Sequence, residues 1–316
     1  MKQVPAEDPH YDPRLARNFL TGEELTSGEL AALVERALEL KADRAGSRAL
    51  TNRSVALIFD KPSTRTRISF EVGVRELGGQ PLVLREGELQ LARGESPRDT
   101  AVVLSRYVHA IAIRTGPHAI VVELAEHAQV PVINMLTADH HPCQALADLV
   151  TLRERFGRLA GLKLAYVGDG NNVARSLMIL GAKAGLDVVV ATPPELAPRA
   201  LAGDDAAGAP APGSVSLASD PVGAAAGAHA LYTDVWVSMG DEHEAAARRE
   251  LLTPYRLDQE LLAHARDDAV VLHCLPAHPG EEISQELLYG ERAAIWDQAE
   301  NRLHAQKALL EMLVGS

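Results

Sequence analysis

Short apolar runs rich in β-branched residues alternate along this chain with longer stretches whose apolar positions recur at helical spacing. The runs are Val55 to Phe59, Ile111 to Arg114, Pro131 to Asn134, Lys163 to Gly168, Asp187 to Thr192, Ala230 to Asp234 and Val270 to Cys274. That alternation predicts an α/β fold of two doubly wound domains, each a parallel sheet covered by helices, joined by interdomain helices. Open parallel sheets place their binding crevices at the carboxyl ends of strands, so chemistry is expected there. Cys143 to Phe156 has apolar residues at helical spacing with Pro142 just before it, which predicts a helix running from the first sheet toward the second. We set the junction around it: residues 1–145 with a final helix, 297–316, packing back on them, and residues 146–296. Pro193 to Ala228 is dominated by Ala, Gly and Pro and is expected to be a solvated loop.

With 316 residues, 47% of them hydrophobic and 23% charged, the chain can bury a sizeable core and divide into two domains. A net charge of −12 argues against a nucleic-acid partner, which needs a basic stripe, so any anionic ligand must be held by local arginines. Met1 to Arg17 has no apolar core and no uninterrupted apolar run approaches a membrane span, so no membrane partner and a cytoplasmic location are expected. Cys143 and Cys274 are the only cysteines and form no paired metal or disulfide spacing, which fits a reducing compartment and no metal site.

Several segments at strand ends carry chemistry. Ser63-Thr64-Arg65-Thr66-Arg67 lies between an apolar run and a helix-like segment, Ile68 to Leu77. A helix start leaves N–H groups unpaired, three hydroxyls add donors, and Arg65 adds a planar cation, which together suit a phosphate. Taken alone, the turn is also compatible with a surface helix capped by Ser63 or Thr64, the lesser of the two readings. In His141-Pro142-Cys143-Gln144, Pro142 fits the first helical position and sets His141 and Gln144 on one face, where both can donate to an acyl oxygen; without neighbouring motifs, His141 would simply cap the helix. Gly168-Asp169-Gly170-Asn171-Asn172-Val173 approaches a dinucleotide-binding turn but lacks its third glycine, leaving a nucleotide-dependent oxidoreductase as a remote alternative. Asp234 ends a strand and offers a counter-charge for an ammonium group, or a cap for the following turn.

The run Phe59 to Arg67 resembles the phosphate-binding signature of the aspartate and ornithine carbamoyltransferase family. Further segments are similar to its ornithine branch: His141-Pro142-Cys143-Gln144, the Gly-Asp-Gly-Asn-Asn turn ending at Asn172, Asp234 to Gly240 with its Ser-Met-Gly loop, His273-Cys274-Leu275-Pro276, and the final helix with Arg302. The resemblance implies carbamoyl-phosphate ligands at Ser63, Thr64, Arg65, Thr66, Gln90, Arg114, His141, Gln144, Cys274, Leu275 and Arg302. It implies L-ornithine ligands at Asn172, Asp234, Ser238 and Met239, and catalytic roles for Arg114, His141, Asp234 and Cys274. It also implies transfer of the carbamoyl group to L-ornithine, giving L-citrulline and phosphate, without a cofactor and in a homotrimer or an assembly of trimers. Putrescine or N-acetylornithine is the alternative acceptor. The chain departs from relatives at Arg175, where an asparagine is usual, and at Pro279, where an arginine is usual.

Overall fold

The computed structural model describes residues 17–85, 94–198, 211–237 and 245–315. In chain order they form α1 (Ser27–Ala42), β1 (Ser54–Phe59), α2 (Thr64–Glu76), β2 (Gln80–Arg85), α3 (Pro97–Leu104), β3 (Ala110–Arg114), α4 (His118–His127), β4 (Val132–Leu136) and α5 (Pro142–Phe156). The second part contains β5 (Lys163–Val167), α6 (Asn172–Lys183), β6 (Asp187–Ala191), β7 (Ser214–Ala218), α7 (Pro221–Ala225), β8 (Ala230–Thr233), α8 (Ala245–Leu252), α9 (Gln259–Leu262), β9 (Val270–His273), α10 (Gln285–Leu288) and α11 (Ile295–Val314).

Two parallel sheets result, one in the order β2-β1-β3-β4 and one in the order β7-β6-β5-β8-β9. Strands covered on both faces are almost wholly buried: β3 is buried at every position, and β1 at all but its first. In each sheet the chain winds outward and then reverses, between β1 and β3 in the first and between β5 and β8 in the second. A crevice opens at such reversals, beyond the carboxyl ends of the strands.

Helix α5 follows the expected course. Pro142 occupies its first turn, Gly157 closes it with a left-handed φ of 70°, and Pro142 to Leu152 are buried without a break. Helix α11 packs on α1, α2 and α5, and α5 packs on α6. Lys307 on α11 is fully buried and donates to the Arg44 carbonyl and to Glu76, both at 2.8 Å.

Two strands differ from expectation. Residues 193–228 are not one solvated loop: they contain β7 and α7. Strand β7 lies at a sheet edge with no residue fully buried, so its Ser-Val-Ser-Leu-Ala sequence carries no apolar run. The other edge strand unforeseen in the sequence, β2, has a single buried residue, Pro81.

Candidate active site

The turn after β1 opens directly into α2, whose first residue is Thr64. Ser63 is the N-cap in extended geometry, yet its side chain makes no capping hydrogen bond, so the hydroxyl is not consumed by the helix. Thr66, one turn in, is fully buried. Its oxygen accepts from Arg302 Nη2 at 2.6 Å and from Arg114 Nη1 at 3.4 Å. With both lone-pair directions taken, the hydroxyl hydrogen is left to point at a third group. Arg114 and Arg302 are buried, and the Nε of each has no partner among the described residues. Burial first, then the neighbouring cations Arg302 and Arg65, lowers the Arg114 pKa to about 10. Arg302 is lowered chiefly by burial. Two buried guanidinium groups with the exposed Arg65 close enough to depress one of them favour an anion beside them.

His141 caps α5 through its backbone only, and its buried Nδ1 has no partner. Burial first, then Arg302, Arg114 and Arg65, holds its pKa well below the ordinary histidine value, so the imidazole is neutral and offers one N–H. Gln144 corrects an expectation. Its Nε2 donates to Asp148 Oδ1 at 2.8 Å, and its buried Oε1 is the atom left without a partner. Against a carboxylate an amide must present its NH2, so Gln144 offers the cavity an acceptor rather than a donor.

Across the crevice, Leu275 has a φ of 60°, which turns its carbonyl toward α2, where it accepts from Arg65 Nη2 at 2.7 Å. The Leu275 N–H donates to His273 Nδ1 at 2.8 Å, and His273 Nε2 faces the buried Glu282 at 3.2 Å. Gln298 on α11 joins the halves: its Oε1 accepts from the His273 N–H at 2.9 Å, and its Nε2 donates to Asp148 at 2.7 Å and to the Tyr232 hydroxyl at 3.0 Å. Asp148, Glu282 and Gln298 escaped the sequence reading. Asp148 alone left a signal there, as the one carboxylate in the apolar run Ala145 to Leu152, four residues after Gln144.

Asp234 follows β8 and is buried. Its Oδ1 accepts from Cys274 Sγ at 2.8 Å and its Oδ2 from Asn171 Nδ2 at 2.8 Å. Burial, reinforced by Asp234, raises the Cys274 thiol well above its ordinary value, so the sulfur carries its proton and donates. Asn171 also caps α6, accepting from the Val173 and Ala174 N–H groups. Asn172, the expected ornithine ligand, donates its Nδ2 to the Thr137 carbonyl at 2.6 Å, tying α6 to the loop after β4. Arg175 lies 3.8 Å from Asp139 on that same loop. Gln90, Ser238 and Met239 lie outside the described residues.

Two alternatives meet physical objections. In the Gly168 to Gly170 turn, the Gly170 N–H already donates to the Leu196 carbonyl at 3.1 Å, and a Cβ there would sit 2.3 Å from that oxygen. The chain's own backbone fills the place a pyrophosphate would need. Asp234, His273 and Cys274 group like metal ligands, with donor atoms within 4.8 Å of one another. Yet His273 Nδ1 is taken by the Leu275 N–H and its Nε2 faces Glu282, while Asp234 and Cys274 bond each other, so hydrogen bonds account for the cluster.

Comparisons with known proteins agree with this geometry. Residues 17–154 match the family described as aspartate/ornithine carbamoyltransferase, carbamoyl-P binding domain, and residues 160–313 match the Asp/Orn binding domain of the same family. The chain is 55% identical over 305 residues to the ornithine carbamoyltransferase of Acidothermus cellulolyticus, spanning 96% of this chain and 98% of that one. It is likewise 55% identical over 305 residues to that of Parafrankia sp., spanning 95% and 96% of the two chains. The solved ornithine carbamoyltransferase of Pyrococcus furiosus superposes with a TM-score of 0.88 at 46% identity, covering 96% of this chain and 98% of that chain.

Proposed function

The chain belongs to the aspartate/ornithine carbamoyltransferase family, and from that premise we propose that it transfers the carbamoyl group of carbamoyl phosphate to L-ornithine, releasing L-citrulline and phosphate. The observation that carries this reading is the placement, in one crevice, of three converging arginines on the first-sheet side and, on the other, a buried Asp234 bonded to the half-buried Cys274. Arg65, Arg114 and Arg302, with Ser63, Thr64 and Thr66, bind the phosphate group. The neutral His141, Arg114 and the Thr66 hydroxyl stabilise the oxyanion formed when the amine attacks the carbonyl. Gln144 Oε1 and the Leu275 carbonyl accept the two carbamoyl N–H groups. Asp234 holds the α-ammonium of ornithine, with Asn172, Ser238 and Met239 completing the amine side and Gln90 the phosphate side.

The δ-amine must arrive deprotonated, and the surrounding guanidinium groups favour its neutral form. The attacking nitrogen gives up one proton as the C–O bond to phosphate breaks, the proton leaving with the phosphate or to solvent, and the step calls for no cofactor. Asp234 favours ornithine over N-acetylornithine, whose α-nitrogen is an uncharged amide, whereas putrescine keeps an ammonium at that place and differs from ornithine in lacking the carboxylate. We place residues 1–145 and the last helix on the carbamoyl-phosphate side and 146–296 on the ornithine side. Ile68 on α2, Leu82 on edge strand β2, and Val102, Val103 and Tyr107 on and just after α3 expose apolar side chains, and we propose a homotrimer as the assembly. The two free thiols fit a cytoplasmic setting. Citrulline formation measured against ornithine, putrescine and N-acetylornithine tests the assignment. Product with ornithine alone is expected, and faster turnover of either rival would overturn it.

A further inference from the structure

Asp148 is assigned to no substrate, yet it is fully buried and stands directly behind Gln144, which is. Its Oδ1 accepts from Gln144 and Gln298, and its Oδ2 has no partner among the described residues. An amide has two faces, one donating and one accepting, and nothing in a glutamine itself decides which is shown to a ligand. Here the decision lies with the carboxylate one helical turn on, which can take only the NH2.

We propose that Asp148 is a positioning residue for substrate choice: by binding Gln144 Nε2 it fixes Oε1 toward the cavity, so that the site selects an acyl phosphate bearing NH2 over one bearing CH3. This rests on the carbamoyl-transfer reading and deepens it. Gln144 Oε1 and the Leu275 carbonyl are both acceptors, and only a carbamoyl group supplies two N–H bonds to match them. A turned Gln144 would set its NH2 against the carbamoyl NH2, donor facing donor.

The groups packed against Asp148 come from every side: Gln144 on α5, Gln298 and Arg302 on α11, Tyr232 on β8 and Cys274 after β9. Burial raises the Asp148 pKa to about 7, against the Gln144, Gln298, Tyr232 and Arg302 contributions that favour the carboxylate. Tyr232 and Cys274 are pushed upward, and His141 at the start of α5 is pushed well down. Asp148 is therefore the member of this set that changes charge between pH 6 and 8.

The test compares carbamoyl phosphate with acetyl phosphate, which differs by CH3 for NH2, using the dissociation constant of the first and the competitive inhibition constant of the second. Asp148→Ala, which frees the Gln144 amide, is expected to weaken carbamoyl phosphate about tenfold while leaving acetyl phosphate unchanged. Asp148→Asn, which keeps a weaker neutral acceptor, is expected to give an intermediate loss. Equal weakening of both ligands, the mark of a merely structural role, or an unchanged ratio in both variants overturns the proposal. Should neither variant fold, the native chain decides. Its preference for carbamoyl phosphate is expected to fall several-fold from pH 8 to pH 6, and a flat ratio refutes the inference. A native chain that binds neither acyl phosphate instead refutes the functional reading itself.

Discussion

At the carboxyl ends of β1 and β3, two buried guanidinium groups share one hydroxyl and keep their Nε donors unmatched among the described residues, with Arg65 close by, whereas at the ends of β5 and β8 the carboxylate of Asp234 already has two donors. The first-sheet side is a buried excess of positive charge, visible in the depressed pKa of Arg114. The second-sheet side is satisfied by the protein itself through Cys274 and Asn171. An anion gains on arrival at the first side without displacing any protein carboxylate. An ammonium at the second side shares a group that is already bonded. The contrast argues for an order: the anion binds first, and its charge then offsets the guanidinium groups near which a cationic amino acid must settle.

The sharpest way to break this contrast is to remove the charge of Asp234 on the amine side. Asp234→Asn keeps the shape, and we expect kcat/KM for ornithine to fall about 10²- to 10³-fold, the loss of a buried charge partner, with carbamoyl-phosphate affinity changed less than about threefold. Calorimetry distinguishes the outcomes. A variant that mainly loses carbamoyl phosphate, or a native chain that binds an ornithine analogue tightly without it, would contradict both the order and the role of Asp234. Arg65→Ala sharpens the other side. Arg65 is exposed at a turn, so the fold should persist while carbamoyl phosphate binds roughly 10- to 100-fold more weakly, from the loss of a charged bidentate contact. Unchanged steady-state constants would remove the turn from the site.

Smaller effects probe the satisfied side and the interior. Cys274→Ala removes a neutral thiol donor from Asp234, and a loss of roughly 2- to 10-fold in ornithine kcat/KM is expected. A collapse to the level of Asp234→Asn would mean that the thiol acts as more than a hydrogen-bond donor. The least effect should appear in stability. His140, on the loop after β4, is lowered to about 4, first by burial and then by Arg175 and His118, and His118 is lowered chiefly by burial. In this window the unfolded chain binds the protons that the folded chain refuses, so stability is present above pH 6.5 and lost as pH falls from 6.5 toward 4. Thermal unfolding across that range should show a falling midpoint, with a shallower fall in His140→Asn; an identical slope in the variant would assign the loss elsewhere.

How much could be read in advance follows burial. Strands such as β3, covered on both faces, leave an uninterrupted apolar run, and the helix start at Pro142 has its own punctuation. The edge strands β2 and β7 leave none, because a half-solvated edge tolerates Pro, Ser and Gln. The turn hydroxyls, the arginines and Asp234 could be singled out because polar and charged side chains stand out at the ends of apolar strand runs. The Gln144 orientation was not: whether an amide donates or accepts depends on Asp148 and Gln298, and Gln298 arrives from a helix 150 residues away from Asp148. Glu282 was hidden for the same reason, since nothing in Gly280-Glu281-Glu282 distinguishes a buried acid from a solvated one.

The bond between Arg65 and the Leu275 carbonyl sets a condition on any visitor. While the crevice is empty, this cation and this acceptor occupy each other across the two sheets, so an incoming anion must first part them. Sulfate, with no hydrogen to donate, can satisfy the guanidinium but leaves the carbonyl stranded. Carbamoyl phosphate meets both at once, with phosphate oxygens for the arginine and an N–H for the carbonyl. On this reading selectivity arises from the exchange itself: the protein carries a rough imprint of its ligand made from its own atoms, and only a molecule that replaces both ends of the imprint displaces it without loss.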